Sequence, residues 1–292
     1  MSQTTITLLG FASGIAANDR NCALGPWYLY YHPHILQRIT ASISFQTILT
    51  STSFLKGKDV LVEVEKNLQE LSQAVLPYAQ KKEKFCVIGG DHSCAIATWS
   101  AVAYANRSQG DIGLIWIDAH MDSHTPETSV TQNIHGMPVA HLLNQGVSRL
   151  CRILDDHPKV KPQHMCLIGI RSYEIGEQQL LERLGVKIYY MEEVRQRGIQ
   201  TILNEAVEHV RAQTCGFGVS IDMDAIDPKD APGVGYREKG GIRGQELQDA
   251  LHCMLHKEQL LGLEITEFNP LQDQEDKTAK LLADLIQAVF ES

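Results

Sequence analysis

Short apolar segments alternate with longer amphipathic segments along most of this chain, and this alternation is the strongest constraint on its fold. The apolar segments are ITLLGF, KFCVIGGD, IGLIWIDAH, HMCLIGI, VKIYYM, CGFGVSIDMD and LLGLEITEF. The amphipathic segments predict helices over Val60–Lys81, Cys94–Asn106, Glu177–Leu184, Ile199–Gln213, Gly244–His256 and Thr278–Phe290. Strands that are apolar on both faces and alternate with helices form parallel sheets covered on each side. The sequence therefore predicts an α/β protein with a central parallel sheet.

The composition neither divides the chain nor points to a membrane or a nucleic acid. No repeat, low-complexity tract or proline- and serine-rich linker occurs, which predicts a single domain over residues 1–292. A net charge of −9 disfavours binding to nucleic acids and anionic membranes. We expect neither a membrane span nor a signal peptide, because apolar runs are short and no lysine or arginine precedes the first one. Seven scattered cysteines without a C-x-x-C pair indicate reduced thiols and a cytoplasmic protein.

Polar residues follow four of the predicted strands at the point where each strand ends. His92 comes after CVIGG, Asp118 after IGLIWI, Asp222 after GFGVSI and Glu267 after LLGLEIT. The carboxyl ends of parallel strands share one edge of the sheet, where open α/β proteins bind their ligands. We therefore expect these side chains to meet at that edge.

Two of these segments carry ligand-type residues at a spacing of two. Asp118, His120 and Asp122 form one set, and Asp222 and Asp224 form the other. Side chains two residues apart face the same side of an extended chain, so each set would point at one place. Taken singly, each residue is more readily explained as a loop cap or a satisfied polar group. Taken together, four converging carboxylates would repel each other unless cations neutralised them.

The balance of charges predicts a pair of divalent cations. Two such ions neutralise four carboxylates, and His92 and His120 then add two neutral ligands. A site rich in oxygen that also contains imidazoles favours Mn²⁺, with Co²⁺, Fe²⁺ or Zn²⁺ as possible substitutes. Two adjacent cations can turn a shared water into hydroxide near neutral pH, and Asp122 could hold that hydroxide in line. Since the sequence has neither a P-loop nor a G-x-S-x-G segment, the pattern favours metal-assisted hydrolysis.

Five sequence blocks between residues 89 and 270 resemble those of the ureohydrolases, the family of arginase, agmatinase and formimidoylglutamase. In chain order the blocks are GGDHS, IDAHMD, NIHGMP, SIDMDAIDP and EFNP. The resemblance implies a three-layer α/β/α sandwich around a central parallel sheet, with two Mn²⁺ ions per chain. It implies as metal ligands the six residues His92, Asp118, His120, Asp122, Asp222 and Asp224. By the same motifs, His135 would be the general acid and Glu267 would bind a guanidinium group.

In this family the loop after Asp122 determines the substrate, and here it resembles the arginase version. The segment SHTPETSVTQNIH keeps the T-P and N-x-H-G spacing without gaps. The residues that would recognise the α-carboxylate and α-amino groups of an amino acid are His124, Ser129, Thr131, Asn133 and Glu174. Three departures from the arginase pattern occur: His124 replaces Asn, Thr131-Gln132 replaces Ser-Gly, and Glu174 replaces Asp.

The resemblance implies cleavage of the guanidinium group of L-arginine to urea and L-ornithine by a hydroxide that bridges two metals. His135, Asp122 and Glu267 would be the catalytic residues. The main alternative is another ureohydrolase, acting on agmatine, a guanidino acid or formimidoylglutamate. A deacetylase with one metal and a catalytic tyrosine, or a non-catalytic protein on the same fold, fits less well because all six ligands are kept. The family also implies a homo-oligomer, a trimer or hexamer, whose only other partner is the small guanidino substrate.

Overall fold

The computed structural model describes residues 5–51 and 60–291. Its central element is one parallel sheet of eight strands. The strands are β1 Thr5–Ala12, β2 Ser42–Thr50, β3 Phe85–Gly89, β4 Gly113–Ile117, β5 Met165–Ile170, β6 Lys187–Tyr190, β7 Phe217–Asp222 and β8 Leu260–Thr266. Their order in the sheet is β2-β1-β3-β8-β7-β4-β5-β6, and all neighbouring pairs are parallel. The predicted central parallel sheet is confirmed.

Helices cover both faces of this sheet. They are α1 Leu24–Tyr31, α2 Pro33–Leu36, α3 Val60–Lys81, α4 Cys94–Asn106, α5 Pro138–Leu142, α6 Ser148–Cys151, α7 Ile175–Leu184, α8 Met191–Arg197, α9 Ile199–Arg211, α10 Gly244–His252 and α11 Lys277–Phe290. Helices α1, α2 and α8–α11 pack in one apolar core, and α3–α7 pack in the other. Strand β4 shows how the sheet separates the two cores. Ile115 and Ile117 face the first, and Leu114 and Trp116 face the second. The three-layer α/β/α architecture is therefore confirmed.

The structure differs from the sequence-based expectation mainly at the edge of the sheet. Strand β2 was not predicted, because its mixed sequence SISFQTILT is only partly buried and does not form a continuous apolar run. Helices α3 and α4 have the predicted bounds, whereas α10 ends at His252 rather than His256. The seven cysteines are free thiols, of which five are buried. Among the helices described, none combines the length and apolar character needed to cross a bilayer.

The four strands that end in candidate site residues are adjacent in the sheet. Strands β3, β8, β7 and β4 lie side by side, so their carboxyl ends form one continuous edge. Close backbone packing at this edge explains the second glycine of GGDHS. A Cβ atom at Gly90 would lie 2.0 Å from the carbonyl oxygen of Ser13, which also accepts a hydrogen bond from the Asp91 amide at 2.8 Å. Only glycine allows β3 and the segment after β1 to approach so closely.

Candidate active site

Four of the candidate metal ligands meet around one imidazole nitrogen at the centre of the edge. His92 Nδ1 lies 3.2 Å from Asp222 Oδ2, 3.3 Å from Asp122 Oδ2 and 3.4 Å from Asp118 Oδ2. His92 and Asp118 are fully buried, and the other two carboxylates are at most 8% exposed. This first cluster therefore lies at the bottom of the site, shielded from solvent.

A second cluster shares Asp118 with the first. His120 Nδ1 lies 3.1 Å from Asp224 Oδ2 and 3.5 Å from Asp118 Oδ1. Because Asp118 turns one oxygen to each imidazole, its carboxylate bridges the two clusters. The six predicted ligands thus come together as two adjacent groups, each with the ligand atoms to hold one cation.

Backbone amides orient the carboxylates. Asp222 Oδ1 accepts the amide hydrogen of Asp224 at 2.8 Å, and Asp118 Oδ1 accepts that of His120 at 2.7 Å. Asp118 Oδ2 also accepts a hydrogen bond from Trp116 Nε1 at 2.8 Å. The Trp116 indole stacks on the His92 ring at a centroid distance of 4.0 Å. The fold therefore supplies hydrogen bonds and a ring contact that orient the ligand side chains.

The electrostatics of the first cluster favour a bound cation. Burial and the charge of Asp118 raise the pKa of Asp122 to about 6. Burial and the charges of Asp224 and Asp118 raise the pKa of Asp222 well above its usual value. Converging carboxylates of this kind are stable in their charged form only when positive charge lies between them.

The protonation of His92 leads to the same conclusion. Its Nε2 contacts Ser220 Oγ at 3.0 Å, and that hydroxyl donates to Glu264 Oε1 at 2.9 Å. The facing carboxylates raise the pKa of His92 well above its usual value, although burial lowers it. With a cation bound, the imidazole proton would lie on Nε2, donated to Ser220, and the Nδ1 lone pair would face the metal. Nδ1 is buried and makes no hydrogen bond among the described residues, although three carboxylates face it. A lone pair facing carboxylate oxygens is repulsive, so this donor set fits a divalent cation.

One detail of the predicted geometry is wrong. Strand β4 ends at Ile117, so alternation along an extended strand does not bring Asp118, His120 and Asp122 together. Asp122 has a φ of +47°, in the left-handed region, and Asp224 lies in a short 3-10 turn after β7. Glu267 likewise has a φ of +63°. Such backbone costs of order 1–3 kcal/mol per residue and is concentrated at functional sites.

His135 and Glu267 form a pair above the clusters. Nδ1 of His135 lies 3.3 Å from Glu267 Oε1, which also accepts the His92 amide hydrogen at 2.9 Å. Burial alone would lower the pKa of His135, but the hydrogen bond and charge of Glu267 raise that pKa to about 9. Asp122 and Asp91 add to this effect. With a pKa in this range, the His135 imidazole holds a proton at neutral pH, which a general acid must be able to do.

A cavity of about 190 Å³ lies above the clusters, and most of the predicted site residues line it. Those lining it are His120, Asp122, His124, Ser129, Thr131, Asn133, His135, Glu174, Asp222, Asp224 and Glu267. His92 and Asp118 lie beneath it, fully buried. Loop residues 124–133 form one wall, held by turn contacts such as the Gln132 amide donating to Ser129 Oγ at 2.9 Å.

At the mouth of the cavity, His124 is already engaged by the protein. Its Nε2 lies 2.8 Å from Glu174 Oε2 and its Nδ1 lies 3.1 Å from Thr128 Oγ1. Glu177, which was not predicted as a site residue, is buried beside this pair and accepts the amide hydrogens of Ser123 and Glu174 at 3.0 Å each. Burial and the neighbouring Glu174 raise the pKa of Glu177 to about 8. His124, which was expected to recognise the substrate, therefore faces Glu174 through Nε2.

Sequence reasoning also missed residues that support the site. Ser220 and Glu264 pair across β7 and β8, and each is a polar residue inside an otherwise apolar strand. That pattern could have identified them, since a buried glutamate needs a partner. Tyr236 lines the cavity from the connection between β7 and α10, where no local pattern marks it.

Fold and site together define a metal-dependent hydrolase built on a parallel α/β sheet, with two adjacent candidate cation sites. A family model described as the arginase family matches residues 4–291. Arginase from Bacillus caldovelox is 38% identical over 222 residues, which are 76% of this chain and 73% of that protein. The chain therefore belongs to the arginase family, hydrolases that act on guanidino groups.

Two solved structures show how far the likeness extends. The native structure of the Bacillus caldovelox arginase at pH 5.6 matches with a TM-score of 0.90 and 32% identity, over 99% of each chain. The structure of Entamoeba histolytica arginase in complex with L-ornithine matches with a TM-score of 0.88 and 26% identity, over the full length of both chains.

Proposed function

We propose that this protein hydrolyses the guanidinium group of L-arginine to urea and L-ornithine. One observation carries the proposal: a single cavity contains candidate ligands of both clusters, the His135–Glu267 pair and the arginase-like loop. Membership of the arginase family supports it. The likeness to an arginase solved with L-ornithine supports the choice of amino acid.

Two Mn²⁺ ions are the proposed cofactor, with Co²⁺, Fe²⁺ or Zn²⁺ as possible substitutes. One ion would be held by His92, Asp118, Asp122 and Asp222, and the other by His120, Asp118 and Asp224. When bound, the pair supplies Lewis acidity and lowers the pKa of a shared water. Oxygen ligands outnumber imidazoles in both groups, which favours manganese over zinc.

The remaining chemistry falls to side chains above the clusters. Glu267 keeps Oε2 and further lone pairs for the guanidinium group, to which a carboxylate can make two charge-assisted hydrogen bonds. Asp122, at the cavity floor, orients the attacking water by a hydrogen bond. His135 carries a proton, and its contact with Glu267 through Nδ1 leaves Nε2 to protonate the departing amine as the C–N bond breaks.

In the mouth, Ser129, Thr131 and Asn133 would donate to the α-carboxylate, and Glu174 with His124 would meet the α-amino group. A second candidate substrate is a guanidino amine without a carboxylate, such as agmatine. It is favoured by one observation, that His124 Nε2 already faces Glu174 and so is not available to a carboxylate. The exposed carboxylate of Glu174, beside His124 at the mouth, would suit the distal ammonium group of such a compound.

Urea release measured on a panel of substrates tests the proposal. The protein would be loaded with Mn²⁺, its metal content measured, and L-arginine, agmatine, a guanidino acid and formimidoylglutamate compared. We expect kcat/KM for L-arginine to exceed that for agmatine at least about tenfold, because only arginine uses the carboxylate donors of the loop. Equal or faster turnover of agmatine would replace the first candidate by the second. The variant D122N is the inactive control.

Three further properties belong to the same proposal. Residues 1–292 would form one catalytic domain, which the shared sheet supports because strands from both halves of the chain interleave. The free thiols are consistent with a cytoplasmic protein. A homo-oligomer, a trimer or hexamer, is expected from the family, and light scattering during gel filtration measures it.

A further inference from the structure

One aromatic side chain at the mouth has no part in the function proposed above. Tyr236 lies in the connection between β7 and α10, is 41% exposed and lines the same cavity as His135 and Glu267. Its ring stacks on the His135 imidazole, with centroids 6.0 Å apart and planes at 29°. Single exposed aromatic rings are ordinary on a protein surface, so the contact with His135, and not the exposure, distinguishes Tyr236.

The backbone around Tyr236 is held on both sides. Val234 forms an antiparallel bridge with Phe268, the residue after Glu267. Arg237 Nε donates to the Pro232 carbonyl at 2.8 Å, and its Nη2 donates to the Gln272 carbonyl at 2.8 Å. The Tyr236 ring is therefore presented from a fixed segment that is tied to the strand end carrying Glu267.

His135, by contrast, has few restraints of its own. It lies in a three-residue 3-10 turn, Ile134–Gly136, and its amide donates to the Ala16 carbonyl at a long 3.3 Å. Its only side-chain hydrogen bond in the described structure, to Glu267, is also 3.3 Å. A single long bond at one edge leaves an imidazole free to swing, and a flat partner against its face removes that freedom.

We propose that Tyr236 is a positioning residue that holds the His135 imidazole in the orientation from which it protonates the departing amine. The proposal rests on the proposed role of His135. An aromatic face attracts imidazolium more strongly than neutral imidazole, so the contact favours the form that carries the proton. In the step itself the Nε2–H bond of His135 breaks, an N–H bond forms on the leaving nitrogen, and the C–N electron pair moves to that nitrogen. Tyr236 exchanges no proton.

Dependence on the leaving group tests this role. We compare the variants Y236A and Y236F with the wild type, all loaded with Mn²⁺, on L-arginine and on a nitroaryl guanidine. The strongly basic alkylamine leaving from arginine depends on protonation by a general acid, whereas the weakly basic nitroaniline depends on it much less. With L-arginine we expect Y236A to lose about tenfold in kcat at an unchanged KM, and Y236F to stay within about twofold. With the nitroaryl guanidine, Y236A should lose less than about twofold.

The matched control is Y104A, which removes a 43% exposed tyrosine from α4. Equal losses of Y236A on both substrates, or equal losses of Y236F and Y236A on arginine, would overturn the proposal, because a general structural defect would explain them. If the wild type and Y236A are equally active on L-arginine, the role of Tyr236 is overturned but the proposed function is not. A wild type that holds two metals yet releases no urea from arginine or agmatine overturns the proposed function as well.

A second measurement does not depend on turnover. Diethyl pyrocarbonate modifies accessible neutral imidazoles, and mass spectrometry of peptides identifies the modified histidine. We expect His135 to react several-fold faster in Y236A than in the wild type, because both its shielded face and its protonated form lose support. An unchanged rate at His135 contradicts the positioning role even if the kinetics are altered.

Discussion

The floor and the mouth of the cavity are built in different ways. The floor consists of the six candidate metal ligands, which come from the ends of adjacent strands and, apart from His120, are at most 8% exposed. The mouth consists of His124, Ser129, Thr131, Asn133 and Glu174, all of them on loops and partly or fully exposed. Backbone amides orient the floor, whereas turn contacts and the His124–Glu174 pair shape the mouth.

This difference indicates which residues of the site can be substituted without loss of the metal ligands. The floor keeps every ligand expected from the family, since an unpaired buried carboxylate there would cost several kcal/mol. The departures at His124, Thr131-Gln132 and Glu174 all lie in the mouth, where solvent screens charges and loops tolerate change. Substitutions in the floor should therefore act on metal binding and kcat, and substitutions in the mouth on KM.

The largest effect is expected in the floor at Asp118, which contributes an oxygen to both clusters. The substitution Asp118→Asn removes one negative charge and the bridge between the sites. We expect fewer than two bound metals per chain and a fall in kcat/KM of at least about 10²- to 10³-fold. Metal analysis and urea assays on the same sample measure both quantities.

The control for Asp118→Asn is the same chemical change at Asp156, whose side chain is 83% exposed. The variant D156N should keep two metals and full activity. A D118N protein that retained both metals and ordinary activity would show that the floor is not a shared cation site, and the contrast between floor and mouth would fail.

A buried imidazole outside the cavity separates the effect of burial from that of carboxylates. In the floor, burial lowers the pKa of His92, but its contacts with three carboxylates raise it well above its usual value. Within residues 5–51 and 60–291, no carboxylate faces His141 in α5, and burial lowers its pKa to about 4. Its Nδ1 contacts the Met137 carbonyl at 2.8 Å, and Gly146 lies directly against its ring.

This lowered pKa predicts how stability depends on pH. The unfolded chain binds a proton at His141 below about pH 6.5, while the folded chain does not until about pH 4. The stabilising contribution is therefore complete above pH 6.5 and is lost as pH falls toward 4. Between pH 7.5 and 4.5 the loss is about 2–3 kcal/mol in the free energy of unfolding.

Denaturant unfolding of the metal-free protein at these two pH values measures the loss. The comparison is with His141→Phe, which keeps a flat ring and removes the titration. The wild type should lose about 2–3 kcal/mol more than H141F between the two pH values, although H141F starts from a lower stability. Identical pH dependence of the two proteins would show that His141 is not held neutral by burial.

The sequence predicted the candidate metal ligands better than the backbone geometry and the strands around them. The apolar runs located the site strands, and the residues after them could be assigned to one edge because parallel strands must align there. Asp122 was predicted for the wrong geometric reason, since its left-handed backbone depends on packing that no local spacing reveals. Strand β2 was missed because it is only partly buried.

Side chains that arrive from distant segments could not be predicted. Tyr236 reaches His135 across about 100 residues of sequence, from a loop without regular structure. The engagement of His124 by Glu174 depends on two loops meeting in space. Both contacts depend on tertiary packing, and no periodicity or local motif in a single sequence indicates them.

A smaller effect on the floor is expected from the hydrogen-bond relay behind His92. Ser220→Ala removes the hydroxyl that accepts from His92 Nε2 and donates to Glu264. We expect metal affinity to fall about 10- to 100-fold, because the imidazole loses its preferred tautomer and orientation. Competition with a chelator measures the affinity, and the control is Ser72→Ala, which removes another fully buried serine. Equal metal affinities in S220A and the wild type would show that the bound metal, and not the hydrogen bond to Ser220, determines the tautomer of His92.

The smallest effect is expected in the mouth, and it is the sharpest test of the contrast. The double substitution His124→Asn and Glu174→Asp restores the residues usual in arginases and shortens both partners, so that the Asn amide is free to donate to a substrate carboxylate. One hydrogen bond gained is worth about 0.5–1.5 kcal/mol, so KM for L-arginine should fall about 2- to 10-fold. Metal content and kcat should not change, because neither residue touches the first or second cluster.

The control is Glu127→Gln, at an exposed position of the same loop, which should leave KM unchanged. If the double variant instead lost metal or kcat, the loop would be coupled to the ligands through Asp122 and Ser123, and the mouth would have to be regarded as part of the metal site.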